Sequence, residues 1–293
     1  MVLLSTRGNG FTQPEFPTLR QFNYTICLAY LDTVQIFLDA TEKYLPWNVL
    51  PERCQNGEGL VISDAMSRWV QVASEVKART AVTADLILND QGDLQGKLTY
   101  QWDGYAAYEK RSDIQKTGKE AYLQDLQKER SWKISDTEFQ NLDEHELDKP
   151  AGAVHEISVE HHSTLAGDYI YVDPFITFKE EENPFKADTR KFPIDFGVRS
   201  ERIYISHIAI PDGYMVEEVP ETKRMILPDN GGRFTYSVSQ VGNRISVISN
   251  IQINDRIFMQ DQYPNLRELF SRIVAKQTEP IVLKKRVPTQ ESK

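Results

Sequence analysis

The feature that most constrains the fold is a series of short β-favouring segments separated by turn residues in the C-terminal third of the chain. Residues 200–210 alternate polar and apolar side chains, the period of a strand with one buried face. The turn Pro211–Tyr214 follows, in which Pro fixes φ and Gly213 can adopt positive φ. Further strands are predicted at 216–219, 225–227, 233–240 and 244–253. Breaks about every ten residues favour an antiparallel β-sandwich.

The region before this series mixes strands with helices. A hairpin is predicted from 81–88 and 94–102 around a Gly-containing turn, and residues 153–162 alternate as a strand does. Helical spacing of apolar residues predicts helices over 103–111, 118–131 and 261–276, the last with Pro264 in its first turn. The predicted fold class is therefore mainly β with α (α+β).

A second hairpin near the N-terminus carries the candidate functional residues. Its strands are predicted at 21–28 and 34–41 with a turn at Asp32-Thr33. Antiparallel pairing about that turn places Tyr24 opposite Thr41, and Asp39 opposite Ile26. Tyr24 and Asp39 then lie diagonally on one face, close enough for a structural hydrogen bond.

The hairpin and the residues after it resemble a known enzyme core. The pattern comprises Phe22-Asn23-Tyr24, Asp39-Ala40-Thr41, Leu45-Pro46 and Leu50-Pro51-Glu52-Arg53-Cys54. It resembles the transglutaminase-like, papain-like core of bacterial envelope proteins. The resemblance implies that Tyr24 stands where the catalytic His would be and that Asp39 is the orienting carboxylate. It also implies that the nucleophilic Cys belongs to a helix upstream of Met1. A phenol, with a pKa near 10, is a poor general base at neutral pH.

The resemblance continues into the β-rich region. Residues 192–197, 210–220 and 242–245 are similar to the uncharacterised C-terminal domain that follows these cores. It implies a partial transglutaminase-like sheet over 1–64, truncated before its nucleophile helix, and a β-rich domain over 65–293 that divides near 186. An uncovered sheet face needs a partner, so residues 1–64 are expected to pack on the β-rich region. A homo-oligomer or an upstream chain would be other ways to cover the face.

Composition excludes several classes of function. The chain has 43 acidic and 34 basic residues, and its net charge of −9 argues against a nucleic-acid partner. No apolar run reaches the length that spans a bilayer, and no signal peptide is evident, although the resemblance implies a periplasmic or cell-envelope location. The two cysteines, Cys27 and Cys54, are interpreted as buried free thiols.

Three functions fit the sequence. The first is a non-catalytic envelope protein, a pseudoenzyme that binds a protein, peptide or glycan. The second is a fragment of a cysteine peptidase or amidase whose Cys lies upstream. The third, disfavoured by spacing, is a metal-dependent activity of the His145–His162 region, where four of the five histidines lie. No cofactor is expected, and no metal ligand is assigned.

Overall fold

The computed structural model describes residues 1–16, 18–32, 34–64, 66–128 and 132–286. Its strands, numbered in chain order, are β1 Val2–Leu4, β2 Tyr24–Leu31, β3 Val34–Leu38, β4 Gly57–Val61, β5 Arg68–Val72, β6 Ala78–Leu88, β7 Leu94–Gly104, β8 Trp132–Gln140, β9 Ala151–Val159, β10 Thr164–Ala166, β11 Tyr169–Val172, β12 Ile194–Asp195, β13 Ser200–Ala209, β14 Tyr214–Glu218, β15 Lys223–Ile226, β16 Gly232–Val241, β17 Arg244–Ile253, β18 Ile257–Phe258 and β19 Ile281–Lys285. The helices are α1 Tyr105–Thr117, α2 Lys119–Lys128 and α3 Tyr263–Gln277. The predicted class, mainly β with α, is confirmed.

The strands form two large sheets and two small ones. The N-terminal sheet has the order β3-β2-β1-β4-β5, and the large sheet has the order β15-β16-β17-β13-β6-β7-β9-β8. A four-stranded sheet, β10-β11-β19-β14, and a two-stranded one, β12-β18, complete the fold. Every pairing is antiparallel except that of β6 with β13, where Ser200 lies beside Ala78. The strand series predicted over 200–253 is antiparallel as expected, and its parallel contact with β6 was not predicted.

The main hydrophobic core lies between the large sheet, the four-stranded sheet and α3. It unites Val82 of β6 and Phe234 of β16 with Ile170, Leu283 and the α3 residue Leu266. The apolar stripe predicted for α3 is buried at Leu266, Leu269, Phe270 and Ile273. Because this core joins residues on both sides of 186, the two proposed parts share one interior. The division itself stays a prediction.

The N-terminal sheet has a small core of its own and also contacts the β-rich region. Its core contains Val2, Ile26 and Leu50, whereas Leu45 and Val49 pack against Tyr105 of α1. The Tyr105 hydroxyl donates to the Leu50 carbonyl at 2.5 Å. The contact expected between residues 1–64 and the β-rich region is therefore present. Strand β5 belongs to the N-terminal sheet as well, so this sheet continues past the boundary predicted at 64.

The helices differ from the predictions mainly at their ends. α1 stops at Gly118, which has φ 91° and donates its backbone N–H to Ile114. The second predicted helix extends to 131, but residues 129–131 lie outside the described part of the chain. In that described part, no helix combines the length and the apolar character needed to cross a bilayer.

Candidate functional site

The N-terminal hairpin has the register predicted from the sequence. Leu31 pairs with Val34, and Cys27 with Leu38, so the same spacing carries Asp39 opposite Ile26 and Thr41 opposite Tyr24. Thr33 lies outside the described residues. The ladder ends at Cys27 and Leu38, and Asp39 and Thr41 continue beyond it. Strand pairing with Leu4 of β1 holds Tyr24, whereas hydrogen bonds to its side chain hold Asp39.

Thr41 joins Tyr24 to Asp39. Its backbone N–H and its hydroxyl donate to Asp39 Oδ1 at 2.8 and 2.6 Å, and its Oγ1 lies 3.0 Å from the Tyr24 hydroxyl. Partial burial alone would raise the pKa of Asp39, but the bonds from Thr41 hold it below its usual value. Asp39 is thus a carboxylate at neutral pH. It orients the Thr41 hydroxyl, and among the described residues no imidazole is bonded to it.

Arg53 supplies a fixed positive charge beside Tyr24. Its Nη2 donates to the Tyr24 hydroxyl at 3.1 Å, and its guanidinium carbon lies 5.3 Å from the centre of the Tyr24 ring. Arg53 also bonds to Glu42 and to the Thr41 hydroxyl. Burial alone would lower the pKa of Arg53, but its bonds to Tyr24 and Glu42 raise it. The position expected for a general base therefore lies beside a hydrogen-bond donor that stays charged.

Cys54 is buried against Asp39 and is not activated. Its Sγ lies 3.7 Å from Asp39 Oδ2, and only 1% of the residue is exposed. Burial, followed by the charge of Asp39, raises the pKa of the Cys54 thiol to about 12. The thiol is protonated at neutral pH and can only donate to the carboxylate. The prediction that Cys54 is a buried free thiol is confirmed.

Cys27 is exposed, and the prediction that it is buried is wrong. It is a free thiol on β2, where Thr25 and Cys27 are exposed while Ile26 between them is buried. The face of β2 that carries Cys27 therefore has no buried side chain adjacent to Cys27 along the strand. Alternation along β2 directs the Cys27 side chain to the face opposite that of Tyr24, and the sequence does not show which of the two faces is covered.

A cleft of about 1170 Å³ opens beside the hairpin. Its walls are the end of β3 with residues 42–49, the junction of β7 and α1, and the loop 144–150. Lys43 Nζ and Glu144 Oε2 lie 2.6 Å apart and link two of these walls. The Trp47 side chain lines the cleft and is 64% exposed. Such a concave surface with an exposed aromatic ring is typical of ligand sites.

A buried arginine holds the loop wall of the cleft in place. Arg111 of α1 is 1% exposed, and its guanidinium donates to the carbonyls of Asn141, Glu146 and Lys149 at 2.9, 2.9 and 2.6 Å. Burial lowers the pKa of Arg111, and neighbouring carboxylates oppose that effect. Sequence reasoning missed this residue. The signal was present, because Ala107, Arg111 and Ile114 follow the spacing of one buried helix face.

The histidines of the acidic region do not come together. His145 lies in the exposed loop and lines the cleft, His155 is fully buried, and the His161 side chain is 87% exposed. Across the described ranges, no group of three or more His, Cys, Asp or Glu could hold one metal ion. β9 ends at Val159, so His161 lies in the turn after β9 and does not share the strand of His155. These positions do not support the metal-dependent alternative.

Cys27 and His145 line the same cleft, together with Asp39. A thiol needs a base within hydrogen-bond reach to become a nucleophile. In the part of the chain that the structure describes, the only hydrogen bond of His145 is from its backbone N–H to Asp143, and none joins its ring to Cys27. The cleft therefore brings together residue types of a cysteine enzyme without the contact that would activate them.

Comparison with known proteins identifies one family over part of the chain. Residues 168–283, from β11 to β19, match a domain of unknown function that has a solved structure (DUF3858). The match lies within residues 65–293 and confirms in part the expected resemblance of this region to an uncharacterised domain, while the predicted domain bounds stay a prediction. The transglutaminase-like assignment of the N-terminal sheet stays a prediction.

Among solved structures, a "putative protease" from Parabacteroides distasonis aligns with 97% of this chain and 39% of its own, at 10% identity and a TM-score of 0.47. The chain thus spans about two fifths of that protein. No curated protein matches the chain. Similarity at this level does not establish a shared activity.

Proposed function

We propose that this chain is a non-catalytic binding module built on a transglutaminase-like hairpin, with its ligand in the cleft beside that hairpin. The observation that carries the proposal is the hydrogen bonding of the Tyr24 hydroxyl. Its hydroxyl is held by Arg53 and Thr41 where the resemblance calls for an imidazole base. Asp39 is occupied by Thr41 and the Cys54 thiol, so it has no base to orient.

Charge and aromatic exposure indicate what the cleft binds. Five carboxylates and two ammonium groups line it, namely Asp39, Glu42, Asp103, Glu144 and Asp148 against Lys43 and Lys149. Glu42, Asp103 and Glu144 already pair with Arg53, Arg79 and Lys43, so Asp39 and Asp148 are the lining carboxylates without an ion pair among the described residues. The Trp47 ring offers a flat surface that attracts cations. A peptide segment with basic side chains combines both features, and it is favoured here over a neutral glycan.

The proposal is tested by calorimetry with a defined probe. A short tryptophan-free peptide with lysine at alternate positions should bind, and the same peptide with glutamate in place of lysine should not. Trp47→Ala should weaken binding at least about tenfold, because it removes the cation–π surface. Phe192→Ala is the matched control, since Phe192 is a 76% exposed aromatic residue that does not line the cleft.

Mass spectrometry of the same mixture tests for turnover. The lysine peptide should remain intact and unlinked after prolonged incubation with the protein. Cleavage, deamidation or cross-linking of the peptide would contradict the non-catalytic assignment and favour the cysteine peptidase or amidase. Equal binding of both peptides, or unchanged binding by Trp47→Ala, would contradict the cleft as the site.

The cellular location belongs to the same proposal. The resemblance, and no feature of the described residues, supports the periplasm or the cell envelope. Fractionation of the host bacterium should recover the protein with the periplasm or membranes. Recovery in the cytoplasmic fraction would contradict this location.

A further inference from the structure

We infer that the outer edge of β3 is an interface through which two copies of this chain pair, strand to strand. β3 is the terminal strand of the N-terminal sheet. Among the described residues, no backbone hydrogen bond joins Val34–Leu38 to anything beyond β2. An open strand edge is a template for another strand, and soluble proteins normally protect it.

β3 lacks the protection that the other edges carry. Charged residues, bulges and short length are the usual means of blocking an edge. Every other edge strand longer than three residues contains at least one charge: Arg68 in β5, Lys133, Asp136 and Glu138 in β8, Glu217 and Glu218 in β14, and Lys223 and Arg224 in β15. β8 and β14 also contain register shifts. The sequence of β3, Val-Gln-Ile-Phe-Leu, has no charge and no proline.

The backbone of β3 fits a two-fold pairing centred on Ile36. Two residues separate the paired Leu31 and Val34, so these two exchange hydrogen bonds and every second pair does the same. Gln35 and Phe37 therefore direct their N–H and C=O groups outward. In an antiparallel pair about Ile36, Gln35 of each copy meets Phe37 of the other, and four backbone hydrogen bonds form.

The side chains of β3 are complementary to themselves in this register. Val34, Ile36 and Leu38 share one face, so the two-fold axis places Val34 beside the partner's Leu38 and Ile36 beside the partner's Ile36. Val34 is 58% exposed, and its cross-strand neighbour Leu31 is 57% exposed. The pairing would cover these side chains and join two apolar rows. The strand edge is thus complementary to the same edge of a second copy in both its backbone hydrogen bonds and its side chains.

Sedimentation velocity of the full chain over about a hundredfold range of concentration tests the pairing. The mass should rise from that of the 33.7 kDa chain to twice that value. Ile36→Lys places two ammonium groups opposite each other and should raise the dimer dissociation constant at least about tenfold. Gln71→Lys, an exposed position on the opposite edge strand β5, is the matched control and should dimerise as the wild type does.

A crosslink tests the register independently of Ile36→Lys. In a Cys27→Ser background, Ile36→Cys should form an intermolecular disulfide under mild oxidation, because non-hydrogen-bonded antiparallel neighbours have Cα atoms about 4.5 Å apart. Gln71→Cys should not. A wild-type chain that stays monomeric, a dimer that survives Ile36→Lys, or equal crosslinking at 36 and 71 would each overturn the inference.

Discussion

At the residue scale, several polar side chains are held by hydrogen bonds or by burial in states that are chemically unreactive. Tyr24 and Cys54 both hydrogen-bond within the cluster formed by Tyr24, Asp39, Thr41, Arg53 and Cys54, and the raised pKa of Cys54 keeps its thiol protonated at neutral pH. His155, in the large sheet, is a third polar side chain that is held in an unreactive state. It is fully buried among Tyr100, Tyr122 and Phe139, with Nδ1 2.8 Å from the Thr137 hydroxyl. Its Nε2 has no hydrogen-bond partner among the described residues.

His155 should make the stability of the protein depend on pH. Burial lowers the pKa of His155 from 6.5 to about 4. Below pH 6.5 the unfolded chain binds a proton at this position and the folded chain does not, so stability falls as the pH drops towards 4. The loss in the free energy of unfolding that is attributable to His155 reaches about 3 kcal/mol once the pH is below the folded-state pKa of about 4. It should be absent above pH 7.

Urea denaturation at pH 7 and pH 4.5 measures this effect. His155→Phe should lose less stability between the two pH values than the wild type. His161→Phe, at an exposed position, should behave as the wild type and serves as the control. Equal pH dependence in wild type and His155→Phe would mean that the imidazole is protonated in the folded state.

At the element scale, the sequence patterns predicted those features of the fold that depend on interactions between residues close together in the chain. The hairpin register follows from the period of two and the short turn, so the neighbourhood of Tyr24, Asp39 and Thr41 could be predicted. β19 was missed because its partner β11 lies more than a hundred residues earlier, and no local signal reports such a pairing. The parallel neighbours β6 and β13 are equally distant in sequence. The cleft was missed for the same reason, since its three walls come from separate segments.

Helix α1 is the element on which the cleft depends. Arg111→Leu removes three charged hydrogen bonds and leaves three carbonyls of the loop without them. We expect the free energy of unfolding to fall by about 3 kcal/mol and hydrogen exchange in residues 141–150 to accelerate. Lys116→Leu, an exposed position on the same helix, should change little. Unchanged exchange in that loop would show that Arg111 does not hold it.

At the scale of the whole molecule, an open edge and a packed surface determine which partners the N-terminal sheet can bind. One edge is open at β3, and the segment that follows β3 packs against α1 through Leu45, Val49 and Tyr105. The cleft lies along this packed surface. The proposed dimer interface and the proposed ligand site are therefore adjacent, because Leu38 at the end of β3 belongs to both surfaces.

The central claim, that the chain is non-catalytic, is tested most directly by the rate at which iodoacetamide alkylates each thiol in the native protein at neutral pH. Peptide mapping reports both rates in one sample, with the urea-unfolded chain as the reference. Exposed Cys27 should react at about the reference rate, and buried, protonated Cys54 at least about a hundredfold more slowly. A native thiol that reacts faster than the reference would be an activated nucleophile, and the non-catalytic account would be wrong.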